Sequence, residues 1–220
     1  MRELRPVHHC GQIPLNTALP GTVTPTTVLD FWFETHADDA IIAQTQRRLW
    51  WAKDPAIDAE IRSRFAPLVQ AAAFGRHDDW SATPRGRLAL ILLFDQFPRN
   101  MHRGSPRAFA YDGLARTLAL AGIADGADGK LRPIERVFCY LPLEHSEQLA
   151  HQEQCVALYQ ALAGGVVPAL RETFAGYVDF AGRHRDIIRR FGRFPHRNAV
   201  LGRTSTPEEI GFLQQPGSSF

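Results

Sequence analysis

Lysine is nearly missing from this 220-residue chain: Lys53 and Lys130 stand against 23 arginines. Cysteine is scarce as well, with only Cys10, Cys139 and Cys155. Scattered and odd in number, these three build neither a disulfide framework nor a paired zinc motif, so a reducing cytoplasm is the expected compartment. Long hydrophobic runs are absent. The longest, Leu88 to Phe94, is far too short to span a bilayer, and the first residues lack the apolar stretch of a signal peptide. No membrane association is expected. Alternating β-branched residues bounded by tight turns are also lacking, which argues against a sheet.

What the chain does hold is enough apolar material for a full core, at 45% apolar and 22% charged residues. That excludes wholesale disorder. The arginine excess is the bias a GC-rich genome produces, yet planar guanidinium groups are also the side chains that best fork onto carboxylates and phosphates. Their placement is uneven. From Arg183 to Arg203 there are seven arginines and one acid, and from Arg85 to Arg107 five arginines and one acid. Both stretches sit among Phe, Pro, Gly and Ile, as a lined pocket would. Nucleic-acid binding is not expected, because the net charge is only +2 and no binding motif occurs.

Residues 1–25 carry Pro, Gly and Thr without periodicity and read as an irregular N-terminal extension; residues 26–220 read as a single all-α domain. Thr26 or Thr27 is expected to cap a first helix, and Asp38–Asp39 to open a second that runs to Trp51. Pro55 starts a third that Gly75 stops, with a bend expected at Pro67. Thr83–Pro84 launches the most apolar helix, expected to end at Pro98, and Ser105–Pro106 another to about Gly122. Pro133 begins a short helix interrupted at Pro142, and a further one resumes near Ser146. Pro168 to Phe191 reads as a long amphipathic helix, and Thr206, Pro207 and Glu209 as a capping box for the last. The expectation is eight or nine helices in antiparallel pairs, stacked as a short solenoid without detectable repeats.

Three segments place polar residues at the ends of apolar helices. The first is Asp95-Gln96-Phe97-Pro98-Arg99-Asn100, continuing to Arg103 and Arg107. Asp95, in what is expected to be a last helical turn, opposes the helix dipole unless a cation neutralises it, so it is expected to pair with Arg99 or Arg103. The second is Glu144-His145-Ser146-Glu147-Gln148, with His151 following. Glu144/Gln148 and Glu147/His151 are four apart and share faces if the helix starts early. Carboxylate beside imidazole suits acid–base work, with His145 or His196 as base and Glu144 or Glu147 orienting it. A di-metal bundle needs two Glu-x-x-His motifs, whereas Glu147-x-x-x-His151 occurs once, so no metal site is expected. The third runs from His184 through Arg193, His196, Arg197 and Asn198. So many cations at one helix end call for something negative among them.

The stretches DQFPRNMHRGSPRAFAYD, ERVFCYLPLEHSEQLAHQ and IIRRFGRFPHRNAVLGRTSTPEE resemble the bacterial domain-of-unknown-function family numbered 924, over about Thr26 to Phe220. The resemblance implies an all-α fold akin to the right-handed superhelices of tetratricopeptide repeats, in a cytoplasmic protein. Its motif positions fall on Asp95, Gln96, Arg99, Asn100, Arg103, Glu144, His145, Ser146, Glu147, Arg193, His196, Arg197 and Asn198. Gln148 stands where many relatives are expected to carry aspartate, which weighs further against a metal.

The leading functional expectation is an arginine-rich pocket for a small anion: a phosphorylated or carboxylated metabolite, or an acidic peptide end. Asp95, Gln96, Arg99, Asn100, Arg103, Arg193, Arg197 and Asn198 would bind it. The alternatives are a hydrolase or lyase using His145 or His196 with Glu144 or Glu147, and a buried ion network that locks the helices of an interaction surface.

Overall fold

A computed structural model describes residues 23–219. The expected irregular extension lies outside the described residues except for its last three positions. Those already serve the first helix: Pro25 sits at its first turn, and Thr24 rather than Thr26 or Thr27 is its cap. Ten α-helices follow, with no strand among the described residues. They are α1 (Pro25–Phe33), α2 (Asp39–Thr45), α3 (Arg47–Trp51), α4 (Pro55–Ala73), α5 (Pro84–Met101), α6 (Asp112–Ala124), α7 (Pro133–Glu144), α8 (Leu149–Gly165), α9 (Arg171–Phe191) and α10 (Pro207–Leu213).

Cap and proline signals set most of the starts. Asp54 accepts from the Ala56 and Ile57 amides ahead of α4, Thr83 accepts from Gly86 ahead of α5, and Thr206 with Glu209 closes a capping box on α10. Two expected stops are not stops. Pro98 lies inside α5 and Pro142 inside α7, and both helices run on past them. A proline forfeits one backbone hydrogen bond, and here the turns beyond it bury Met101 and Leu143 almost completely. The predicted second helix is two, broken at Gln46, and Ser105–Pro106 opens only a 3-10 turn before α6. The predicted resumption near Ser146 falls at Leu149, so residues 145–148 form a link between α7 and α8.

Helix α5 is buried all round: every residue from Leu88 to Phe94 is at most 4% exposed. It is wrapped by α1, α4, α6 and α7; α7 in turn packs on α6, α8 and α9, and α8 lies along α9. From α4 to α9 each helix packs on the next or next-but-one in the chain, with α1 returning to α5. An aromatic knot ties α1 and α3 to this centre. Trp32 meets Phe97 at 5.5 Å, Trp50 meets Phe138 at 4.8 Å, and the Trp50 indole donates to the Trp32 carbonyl at 2.8 Å. A smaller cluster of Ile187, Ile188 and Phe194 sits under α10, packed by Phe191 and Phe212.

The start of α5 is tight enough to test. A β-carbon at Gly86 would lie 2.1 Å from the Trp80 carbonyl oxygen and 2.8 Å from the Thr83 hydroxyl. Gly86→Ala is expected to cost about 1–3 kcal/mol through this overlap, read as a lower urea midpoint.

Candidate functional site

The three polar segments converge. The second half of α5 presents Asp95, which is fully buried, and the α7–α8 link lays His145 against it: His145 Nδ1 is 2.7 Å from Asp95 Oδ1. The α9–α10 connection closes over both. Arg197 donates from Nη1 to the His145 carbonyl at 3.0 Å, and the Phe194 amide donates to Glu147 Oε1 at 2.8 Å. Between them lies a cleft of about 280 Å³ lined by Asp112, Arg116, His145, Ser146, Glu147, Gln148, Arg197 and Leu201.

The hydrogen-bond pattern assigns the chemistry of each group. Burial alone would raise the Asp95 carboxyl, but Arg99 and His145 outweigh it and hold it well below the usual carboxylate range. An ionised Asp95 only accepts, so His145 Nδ1 carries the hydrogen of their contact. Gln96 Nε2 supplies a second donor to Asp95 at 2.6 Å, and Arg99 a third at 3.3 Å. Burial lowers the His145 imidazole, and Arg99 lowers it further, against the opposing pull of Asp95. The ring is therefore neutral at pH 7. Its side chain is 14% exposed. With Nδ1 held by the wholly buried carboxylate, Nε2 is the ring nitrogen that this contact does not use.

Arg197 is less exposed than Arg99 and Arg203, its side chain only 8% accessible. Its guanidinium lies 4.4 Å from the Phe194 ring centre and 4.8 Å from that of Phe109, with Asp112 at 3.9 Å. Its Nε is buried with no hydrogen-bond partner among the described residues, and burial followed by the Arg99 charge lowers its pKa to about 10. Asp112 is engaged elsewhere, by Arg99 in a two-pronged pair at 2.8 and 3.0 Å. Glu147 is likewise engaged by Arg203 at 2.7 and 3.0 Å. Arg116, on α6, lines the cleft and makes no ion pair among the described residues.

Several predicted binding residues are used otherwise. Arg103 forks onto Asp58 of α4 at 2.6 and 3.0 Å, and Asn100 donates to the same carboxylate at 3.0 Å. Arg193 forks onto Glu209 at 2.6 and 2.8 Å, and Asn198 donates to Glu209 and Ser205, so both pin α10. Asp95 pairs with Arg99 and not Arg103. Glu144 and Glu147 do not orient His145; Asp95 does. Glu144 ends α7, only 2% exposed, with its Oε1 3.6 Å from His184 Nδ1. Burial pushes its carboxyl up to about 8, helped by the Asp95 charge. Glu147 and His151 do not share a helical face; His151 Nδ1 meets Ser146 Oγ at 2.9 Å instead. His196 packs on Phe194 at 5.5 Å outside the cleft lining, lowered to about 4 by burial and then by Arg197. Asp112, Arg116 and Leu201 are the cleft-lining residues that sequence reasoning did not single out, as is Arg203, which bonds to the lining residue Glu147.

No cluster of three His, Cys, Asp or Glu suited to a metal occurs among the described residues. Cys139 and Cys155 are free and buried; burial raises both thiols, Cys139 to about 12, which excludes them as thiolate nucleophiles. A larger hollow of about 590 Å³ lies between His36–Asp39, Arg132 and Val166–Leu170, but its Asp39 and Arg132 close on each other at 2.5 Å. No described helix is long and apolar enough to cross a membrane.

No curated protein matches the chain. A solved structure of a protein of unknown function, ATU0120 from Agrobacterium tumefaciens, is similar at 39% identity, over 86% of this chain and 96% of that one, with a TM-score of 0.72. The family model for bacterial proteins of unknown function DUF924 matches residues 28–217. The chain accordingly belongs to the DUF924 family of bacterial proteins.

Proposed function

We propose that the cleft between α6, the α7–α8 link and the α9–α10 connection binds a small anionic ligand, a phosphorylated or carboxylated molecule. The observation that carries this reading is Arg197: a largely buried guanidinium held against the Phe109 and Phe194 rings at the lining of a cleft whose carboxylates fork onto other arginines. Arg116 adds a second cation to the lining, one that makes no ion pair among the described residues. Such a group is pre-ordered, so a ligand oxyanion meets it at little entropic cost. A volume of about 280 Å³ suits a metabolite-sized molecule better than a run of peptide. This reading takes residues 26–220 as one all-α domain.

The test is calorimetry and thermal shift with inorganic phosphate and with citrate. Arg197→Met keeps an apolar stem between Phe109 and Phe194 while removing the fork. It is expected to weaken binding of the better anion roughly 10–100-fold, the worth of one charge-assisted contact of about 1.5–3 kcal/mol. Unchanged affinity in that variant sinks the reading.

Acid–base catalysis, in a hydrolase or lyase, is a second reading favoured by one observation, the 2.7 Å contact with an ionised Asp95 that puts the His145 hydrogen on Nδ1 and leaves Nε2 as the basic nitrogen. It transfers the orienting role from Glu144 and Glu147 to Asp95.

A further inference from the structure

Three carboxylates and four guanidinium groups make up the cleft and the groups bonded directly to it. The carboxylates are Asp95, Asp112 and Glu147; the guanidiniums are Arg99, Arg116, Arg197 and Arg203. With His145 neutral, the assembly carries one surplus positive charge. A monoanion balances it, whereas a dianion leaves one negative charge over in a partly buried space. One titratable group stands where it can correct that excess: His145, a lining residue of the cleft anchored through Nδ1 to Asp95, which leaves Nε2 as the ring nitrogen not held by that contact.

We infer that the cleft takes a dianionic, tetrahedral oxyanion, such as the phosphoryl group of a phosphomonoester, and takes it together with one proton, which settles on His145 Nε2. This rests on the proposed anion-binding function and adds to it the charge class of the ligand and the residue that selects it.

The surroundings of His145 give the proposal its direction. From α5 it faces Asp95 and Arg99; from α6, Asp112 and Arg116; from α7, Glu144; from its own link and α8, Glu147 and His151; from α9, His184; and from the last connection, His196 and Arg197. In the empty protein, burial and then Arg99 outweigh Asp95 and keep the ring unprotonated. A dianion within hydrogen-bond reach of Nε2 reverses that balance, because an adjacent opposite charge favours the imidazolium. Protonated, Nε2 becomes a third donor beside Arg197 and Arg116. Glu144 cannot substitute as the acceptor at mildly acid pH, since burial already keeps it protonated. Asp95 holds the ring in place in both states.

Sulfate is the probe of choice, because it stays a dianion across the working range and any proton taken up must go to the protein. Calorimetry of sulfate binding at pH 6, in MES and in bis-Tris, reads proton uptake from the difference between the two heats. The wild type is expected to take up protons on binding, to a limit of about one, and its affinity to fall with rising pH above pH 6, to a limit of about tenfold per unit. His145→Gln, which still hydrogen-bonds Asp95, is expected to bind sulfate without uptake and with flat pH dependence. His151→Gln is expected to keep the uptake. Methanesulfonate, a monoanion of similar shape, is expected to bind at least tenfold more weakly than sulfate. Sulfate binding without proton uptake, uptake that survives in His145→Gln, or equal affinity for methanesulfonate overturns the inference while leaving anion binding intact. No sulfate binding at any pH overturns both. If His145→Gln does not fold, ¹⁵N-histidine spectra of the wild type decide: sulfate must move His145 toward the imidazolium at pH 6.

Discussion

Asp95→Ala is expected to lower stability by about 3 kcal/mol, one of the two largest effects of a single substitution in this protein. Asp95 is wholly buried and accepts from His145 at 2.7 Å and from Gln96 at 2.6 Å, with Arg99 at 3.3 Å. Deleting it strands the His145 Nδ1–H and the Gln96 amide in the interior, and each unsatisfied buried donor costs about 1–3 kcal/mol. Arg99 loses less, since Asp112 and the Asp95 backbone carbonyl still hold it. That retained pairing is why the lower end of the range for breaking a buried pair applies. Asp95→Asn keeps an acceptor for His145 and is expected to cost about half as much. The pH sign follows from the depressed carboxyl: its contribution is complete above the ordinary range near pH 4 and is lost only as pH falls below that, toward the folded value. Asp95's own titration adds no pH dependence between pH 5 and pH 8, but removing its charge also lowers the pKa of the Glu144 carboxyl and of the His145 imidazole. Urea melts should therefore give a smaller loss for Asp95→Ala at pH 8 than at pH 5. A cost under about 1 kcal/mol at both would mean that this network does not hold α5 to the α7–α8 link.

How much of this was readable in the sequence varies from element to element. Helices α4, α5 and α10 announce themselves because Asp54–Pro55, Thr83–Pro84 and Thr206–Pro207 each combine a capping side chain with a first-turn proline. Pro98 and Pro142 misled because a proline's local penalty is visible in the sequence, whereas the burial gained beyond it is not. Asp95 consequently stands well inside α5 rather than in its last turn, and the cation that the sequence called for is Arg99, one turn further along the same helix. The meeting of the DQFPRN, LEHSE and PHRN segments was legible, since each puts polar groups at the end of an apolar helix. The pairing was not. Arg103 and Arg193 look like anion ligands until Asp58 and Glu209 are seen to engage them, and those partners lie 45 and 16 positions away. Arg116 gave no signal at all: it is one arginine among 23 and belongs to no motif.

Glu144→Gln is expected to stabilise the protein at neutral pH, by about 3 kcal/mol at pH 7. Glu144 is 2% exposed at the end of α7, its Oε1 has no hydrogen-bond partner among the described residues, and His184 stands 3.6 Å away. His184 does not supply a charge: burial lowers it to about 3, and its Nδ1 lies 3.0 Å from the Phe180 carbonyl. Glu144 therefore remains protonated in the fold up to about pH 8, while in the unfolded chain it ionises near its ordinary 4.5. Between those values the folded state binds one more proton than the unfolded state, so its contribution to stability falls with rising pH at about 1.4 kcal/mol per unit. Glutamine preserves the shape and has nothing to ionise. The buried histidines His145, His184 and His196 act with the opposite sign, because their lowered values remove stability as pH drops below the ordinary imidazole range. They are common to both proteins and cancel in the difference. The expected result is a pair of stability curves that coincide at pH 4 and diverge steadily to pH 8, with the variant above. A constant gap across that range would place the Glu144 proton, and the apolar character of the α7 terminus it implies, elsewhere.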